Sequence, residues 1–98
     1  MLGGLSEIKP VDTNIEIILK SVKSHLEEKL GKELYMLKGD SYKTQVVAGV
    51  NYFIKAQIEE NSYIIIKVFR DLPNNHNPDK LVSVNVQVKK EDNITFFE

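Results

Sequence analysis

The chain has 98 residues, of which 42% are hydrophobic and 28% are charged, and this composition predicts one globular domain over residues 1–98. Its 13 basic and 14 acidic residues leave a net charge of −1, so we expect neither a nucleic-acid partner nor a basic membrane-binding patch. Because the sequence contains no cysteine, disulfides, cysteine-ligated metals and a thiol nucleophile are excluded.

The first eleven residues form a segment that we call the N-terminal arm. Gly3 and Gly4 permit both signs of φ, which is typical of a mobile terminus. Apolar side chains are also present on the arm, namely Met1, Leu2 and Leu5. One interpretation is a frayed tail or a short edge strand. The other is an apolar arm that docks on a partner.

A helix is predicted over residues 13–30. Thr13 is the expected N-cap, with Glu16 at the capping-box spacing three residues later. Gly31 follows as a residue suited to the left-handed conformation that ends many helices. Apolar residues recur every three or four positions and form one stripe: Ile15, Ile18, Leu19, Val22, Leu26 and Leu30. Such a helix needs a second layer to cover its apolar face.

The rest of the chain is predicted to form strands, because apolar and polar residues alternate in runs separated by turns. The predicted strands are 42–47, 50–58, 63–70 and 81–88, with residues 94–97 closing the sheet. Ala48 and Gly49 predict a tight hairpin between the first two strands. Short connections favour antiparallel pairing. The predicted fold class is therefore α+β, with four to five antiparallel strands wrapped around one N-terminal helix.

The strand at 81–88 carries alternate valines, and the two-residue period of a strand predicts that they share one face. They are Val82, Val84, Val86 and Val88. Aromatic side chains also lie on the strands, and one interpretation is that they form a surface on which the bases of single-stranded nucleic acid stack. Core and cross-strand packing is the other interpretation, and the slightly acidic charge balance favours it.

The sequence offers little for catalysis. His25 borders the apolar stripe of the helix, and His76 lies in a polar loop where a weak metal site is conceivable but a solvated loop is favoured. No phosphate-binding loop or nucleophile elbow is present, and no nucleophile, base and orienting group can be assembled. We expect no catalytic residue, no metal, no cofactor and no enzyme activity.

Apolar residues stand where a turn is normally polar. Val46 and Val47 lie at the predicted hairpin, and Leu72 with Pro73 begins the next loop on the same side. Apolar residues on tight turns indicate a contact surface. Alternate turns of an antiparallel sheet lie at one end, so these two elements are expected together, and the N-terminal arm is placed beside them as a hypothesis.

These elements resemble the stefins, the type 1 cystatins, over nearly the whole chain. QVVAG at residues 45–49 is the first-hairpin motif of the family, and its surroundings, YKTQVVAGVNYFIK at 42–55, are similar to stefins throughout. GGLSEIKP at 3–10 is similar to the arm of A-type stefins, LEEK at 26–29 resembles the end of the family's helix, and KVFRDLP at 67–73 resembles the strand before the second hairpin.

The resemblance implies a reversible, tight-binding inhibitor of papain-like cysteine proteases such as cathepsins. The implied contacts form a wedge that fills the active-site cleft: Gly3 and Gly4 of the arm, Gln45, Val46, Val47, Ala48 and Gly49 of the first hairpin, and Leu72 and Pro73 of the second. It also implies a cytoplasmic monomer. The alternative is a non-inhibitory scaffold of the same fold or a domain-swapped oligomer, because the segment 64–69 is apolar, prone to form strands and free of proline.

Overall fold

The computed structural model describes residues 4–98, which form a helix packed on an antiparallel sheet. In chain order the elements are β1 (Lys9–Pro10), α1 (Thr13–Leu30), β2 (Lys38–Val47), β3 (Gly49–Glu59), β4 (Ser62–Arg70), a 3-10 turn (Pro73–Asn75) and β5 (Lys80–Val88). The sheet order is β1-β2-β3-β4-β5, and every pair is antiparallel. The predicted α+β class is confirmed.

Helix α1 has the predicted bounds, but its N-cap is Asp12 and the prediction of Thr13 is wrong. The Asp12 carboxylate accepts hydrogen bonds from the Ile15 N–H at 3.0 Å and from the Tyr42 hydroxyl at 3.2 Å. Burial, followed by this bond to Asp12, raises the pKa of Tyr42. One carboxylate therefore caps the helix and ties its first turn to β2. At the other end Gly31 adopts φ 72°, as its position predicted.

The face of the sheet that carries α1, which we call the inner face, holds the main apolar core. The predicted helix stripe lies in it, with Leu30 at the margin, and side chains of β2, β3 and β4 complete it. Its fully covered members include Ile15, Ile18, Val22, Leu26, Ile54, Ile66 and Val68. Burial of each such side chain contributes about 1.5–3 kcal/mol, so this layer supplies most of the stability of the fold.

The opposite face of the sheet carries a second, smaller core that we call the outer cluster. Phe53 of β3, Ile65 of β4 and Ile94 are its buried members, and Leu5, Val88 and Phe97 pack against them. Residues 94–97 form no strand, so that prediction is wrong. Instead the C-terminal segment, residues 89–98, crosses this face and covers it.

Lysine side chains on the outer face hold the C-terminal segment by its backbone. The Lys43 ammonium donates to the Ile94 carbonyl oxygen at 2.9 Å. Lys55 donates to the carbonyl oxygen of Asp92 at 2.7 Å and also to that of Lys90. Lys67 donates to the Phe97 carbonyl oxygen at 3.4 Å. Saturating these carbonyls compensates for a segment that has no strand partner.

The predicted common face of the β5 valines is also wrong, because the register of β5 against β4 shifts twice. A bulge inserts one extra residue and moves the following side chains to the other face. Val84 packs on the inner core and Val88 on the outer cluster. Val82 and Val86, which lie at the two irregularities, are exposed.

Candidate functional site

Three elements meet at one end of the sheet. The ladder between β2 and β3 continues to the pair Val47–Gly49, and the next residue, Val50, lies opposite Arg70 at the end of β4. The first hairpin tip, residues 45–49, is therefore adjacent to the start of the second loop, residues 71–79. The turn between Glu59 and Ser62 lies at the far end, as predicted.

The first hairpin tip presents its apolar residues to solvent while its polar residue is buried. Val46 is 69% exposed and Ala48 is exposed, whereas Val47 is half-buried. Gln45 is only 4% exposed, and its side-chain oxygen accepts a hydrogen bond from Asn51 Nδ2 across the hairpin at 3.0 Å. An apolar end on a polar, hydrogen-bonded base is suited to insertion into a cleft.

Gly49 cannot be replaced by a larger residue without moving its neighbours. Its φ is 128°, which L-residues with side chains rarely adopt. A Cβ atom added here would lie 2.6 Å from the Arg70 carbonyl oxygen and 2.8 Å from the Phe69 ring. The glycine thus allows the tip to pack directly against the last residues of β4, where the second loop begins.

The N-terminal arm runs along the edge of β2 toward the first hairpin tip. After the β1 pairing opposite Ser41 and Tyr42, the Ser6 N–H donates to the Thr44 carbonyl at 2.8 Å, and the Thr44 N–H donates to Ser6 Oγ at 2.9 Å. This direction brings Gly4, the first described residue, toward the tip end. The described part of the arm therefore follows the edge of β2 as far as Thr44, and its contact with the hairpins stays a prediction. Gly3, with the preceding two residues, lies outside the described residues.

The second loop is organised around the carboxylate of Asp71. Its oxygens accept hydrogen bonds from the Leu72 N–H at 2.8 Å, from Asn75 Nδ2 at 2.9 Å and from Asn77 Nδ2 at 2.6 Å. The bonds from Asn77 and Asn75, followed by that from Leu72, hold the pKa of Asp71 below its usual value. The loop that follows Leu72 therefore has a defined shape although it is exposed to solvent.

The two ends of the second loop are joined by an ion pair. Arg70 donates from Nε and Nη2 to the two carboxylate oxygens of Asp79 at 2.9 and 3.0 Å. Its remaining nitrogen donates to Asn14 Oδ1 at 2.7 Å, and the guanidinium lies 5.6 Å from the centroid of the Tyr52 ring. The bond to Asp79 is the main cause that raises the pKa of Arg70. This network fastens the loop to the helix and to β3.

Leu72 and Pro73 are both exposed at the start of the second loop, on the same side as the first hairpin tip. Leu72 is extended, and Pro73 begins a 3-10 turn that ends at His76, whose φ is 55°. The structure therefore places the first hairpin tip and the start of the second loop at one end of the sheet, with the arm directed toward that end. His76 is exposed on the loop, and no cluster of three His, Asp or Glu side chains suited to a metal exists within residues 4–98.

Sequence reasoning treated the second loop as solvated and missed the residues that shape it. These are Arg70, Asp71, Asn75, Asn77 and Asp79. A signal was present, because an aspartate at the loop start is followed by asparagines four and six positions later, and opposite charges stand at the two loop ends.

The aromatic side chains of the strands lie mainly in the cores. Phe53 is fully buried in the outer cluster, and Tyr42 and Tyr63 are buried as well. Packing, the favoured interpretation, accounts for these rings, and they do not form an open stacking surface. Among residues 4–98, no helix is long and apolar enough to cross a membrane.

Comparisons with known proteins give a consistent set of similarities. A family model described as a cystatin domain matches residues 3–91. Cystatin-A1 of Sus scrofa is 44% identical over 99% of this chain and 94% of its own length. Leukocyte cysteine proteinase inhibitor 1 of Sus scrofa is 40% identical with the same coverage, and Stefin-C of Bos taurus is 38% identical over 98% of this chain and 95% of its own length. The resemblance found in the sequence motifs is confirmed.

Proposed function

Because the chain belongs to the cystatin family, we propose that it is a reversible, tight-binding inhibitor of papain-like cysteine proteases. The proposal takes residues 1–98 as one inhibitory domain. A similar protein is named as an inhibitor of cysteine proteinases, which supports the general class. The finer assignment of contacts to the arm, the first hairpin tip and the second loop follows what the stefin resemblance implies and is part of the proposal.

One observation carries the proposal, namely the row of exposed apolar residues at one end of the sheet. Val46 is 69% exposed and Leu72 is 46% exposed, and both stand on tight, braced backbone. Such residues lose little conformational entropy when they dock, so most of their burial energy is available for binding. A wedge of this kind suits a narrow cleft lined by apolar subsites.

Inhibition by this edge requires no reaction. The residues at the tip carry no group that forms a covalent bond with a protease thiolate, so binding relies on apolar contact and backbone hydrogen bonds. A tight hairpin also differs in shape from the extended peptide that a protease cleaves. The inhibitor can therefore sit near the catalytic thiol without being cut, and the complex dissociates intact.

The test is titration of papain and of a cathepsin L-type protease with the purified chain. We expect stoichiometric, reversible inhibition, and the absence of inhibition at micromolar concentrations would refute the proposal. Val46→Asp is expected to weaken binding about a hundredfold, because the carboxylate would be desolvated in an apolar contact. Its folding stability should change by less than about 0.5 kcal/mol, since the side chain is exposed.

The matched control is Val86→Asp. Val86 is 59% exposed and lies on β5 near the far end of the sheet. The substitution introduces the same charge at a similarly exposed position, away from the first hairpin tip and the second loop. We expect Val86→Asp to inhibit the protease as strongly as the unchanged chain does. If Val46→Asp and Val86→Asp lost affinity for the protease equally, the added charge alone would explain the loss.

We further propose that the inhibitor acts as a monomer. The strand-prone segment 64–69 lies in β4, between β3 and β5, and Ile64, Ile65 and Ile66 are all buried. Exchange of this segment between two chains would have to break the pairing of β4 with both of its neighbours. Light scattering at inhibitory concentrations should give the mass of one chain, whereas a dimer that loses inhibition would favour the domain-swapped alternative.

A cytoplasmic location remains part of the proposal. The sequence contains no cysteine, so the fold does not depend on disulfides that a reducing compartment would break. Fractionation of cells that produce the chain should place it with cytoplasmic markers. Recovery from the secreted fraction alone would contradict this part of the proposal and leave the inhibitory part untouched.

A further inference from the structure

Between Gly4 and Val11 the N-terminal arm makes few backbone hydrogen bonds. The backbone bond from the Ser6 N–H to Thr44, supported by the bond from the Thr44 N–H to Ser6 Oγ, is followed in these residues only by the two-residue strand β1, in which Pro10 has no N–H to donate. A side chain therefore contributes to the attachment. Leu5, next to Ser6, is half-buried and packs against the outer cluster.

The outer cluster on which Leu5 packs combines residues of β3 and β4 with residues of the C-terminal segment. Ile94 of this segment is 1% exposed and joins Phe53 and Ile65 in the outer cluster. No strand pairing fixes residues 89–98. The position of Ile94 depends on its own packing and on the lysines that bind the backbone around it.

Strand β2 binds both the described part of the N-terminal arm and the C-terminal segment. Lys43 of β2 donates from Nζ to the Ile94 carbonyl, and its neighbour Thr44 carries the backbone groups that bind Ser6. Ser6 of the arm and Ile94 of the C-terminal segment therefore bind to adjacent residues of β2. Leu5 and Ile94 then pack in the same apolar cluster beside them.

We infer that Ile94 is a positioning residue for the N-terminal arm: the C-terminal segment, held by the lysines, forms the seat on which Leu5 fixes the arm at the binding edge. Truncation of Ile94 leaves a cavity in that seat and weakens the packing of Leu5. The other described apolar anchor of the arm, Val11, packs on the inner core and is not affected. The consequence for inhibition rests on the proposed function, whereas the consequence for the arm does not.

The first test measures hydrogen exchange at the Ser6 amide by NMR, with no protease present. In Ile94→Ala this amide should exchange about five- to tenfold faster, because a half-buried leucine loses much of its burial. The matched control is Ile18→Ala, which removes the same atoms from a fully buried position in the inner core, away from the arm. Local opening of the arm should be unaffected by this control.

If either alanine variant does not fold, Ile94→Val and Ile18→Val replace them, because each substitution removes only one methyl group at the same position. In that pair we expect about twofold faster exchange at Ser6 for the outer-cluster variant only. Equal Ser6 exchange in the Ile94 and Ile18 variants would overturn the inference. Faster exchange in the Ile94 variants alone would support it.

The second test measures the inhibition constant against papain. Ile94→Ala and Leu5→Ala should each weaken inhibition, and the double variant should be no weaker than Leu5→Ala, because both act through the same seat. Additive losses would overturn the inference. If the unchanged chain does not inhibit papain, the proposed function fails, while the exchange test still decides the role of Ile94.

Discussion

The first hairpin tip and the second loop stand side by side at one end of the sheet but are held in different ways. Backbone geometry shapes the tip: strand pairing continues to Val47–Gly49, and Gly49 packs against the end of β4. Side chains shape the second loop, through Asp71 with its amide donors and through the pair Arg70–Asp79.

The difference has physical consequences. A shape made by backbone pairing contains no titratable group, so pH and salt affect it little. A shape made by a carboxylate network responds to both. We therefore expect the tip to supply a constant part of the binding energy and the second loop to supply a part that depends on solution conditions. The following variants test this division.

The largest expected effect comes from Gly49→Ala. The new Cβ would be strained at φ 128° and would collide with the Arg70 carbonyl, so the free energy of unfolding should fall by about 2–4 kcal/mol. The tip would also shift relative to the second loop, and inhibition should weaken about a hundredfold or more. Urea denaturation and the inhibition constant measure the two losses.

Gly31→Ala is the control for the glycine. Gly31 also has positive φ, at 72°, but an added Cβ meets nothing within 4 Å, and the residue lies at the C-terminal end of α1. It should lose about 1–2 kcal/mol of stability from backbone strain alone. Its inhibition should be unchanged. A comparable loss of inhibition in both variants would mean that the effect is global destabilisation.

An intermediate effect is expected for Asp79→Asn. The change removes a carboxylate that receives two charge-assisted hydrogen bonds from Arg70, and it should destabilise the fold by about 1–2 kcal/mol and weaken inhibition several-fold. Glu59→Gln is the counterpart at the far end, where it breaks the exposed pair with Lys32. That control should change stability by less than about 0.5 kcal/mol and leave inhibition intact.

The smallest effect is a pH dependence at Asp71. The pKa of Asp71 is lower in the folded chain than in the unfolded chain. The contribution of this carboxylate to the free energy of unfolding is therefore fully present above the unfolded pKa, and it is lost as the pH falls through the folded pKa. Between pH 7 and pH 5 the loop should keep its shape. In more acidic solution, the NMR signals of the Asn75 and Asn77 amides should titrate with a midpoint below 3.8, the ordinary value for this carboxyl.

Asp71→Asn serves as the reference for that titration. It keeps the size of the side chain but cannot ionise, so the asparagine signals should show no midpoint in acid. Inhibition at neutral pH should weaken by about threefold at most, because the loop is exposed and its amides can bond to water. A wild-type midpoint at or above 3.8 would contradict the proposed role of the carboxylate network.

The same division explains what could be predicted from sequence. The helix bounds, the hairpin at Gly49 and the α+β class depend on short-range patterns of apolar and turn residues, and all three were correct. The N-cap was misplaced by one residue because Asp12 and Thr13 are both good caps. In the folded chain the Ile15 N–H donates its hydrogen bond to the Asp12 side chain, which identifies Asp12 as the cap.

The errors concern contacts between distant parts of the chain. Residues 94–97 have the composition of a strand, but they cover the outer face and are held by lysines that stand some 30 to 50 residues earlier. Lys55 is a charged residue in the alternating pattern of β3, yet it is only 3% exposed, because its ammonium group binds the backbone of the C-terminal segment. Local alternation carries no information about such a partner.

The interrupted register of β5 has a consequence for the behaviour of the protein at high concentration. β5 is the last strand of the sheet, and only residues 83–85 lie between its two irregularities. A second chain approaching this edge finds too short a run of regularly spaced backbone groups to continue the ladder. We therefore expect the exposed valines at the bulges to contribute little to edge-to-edge association of two chains.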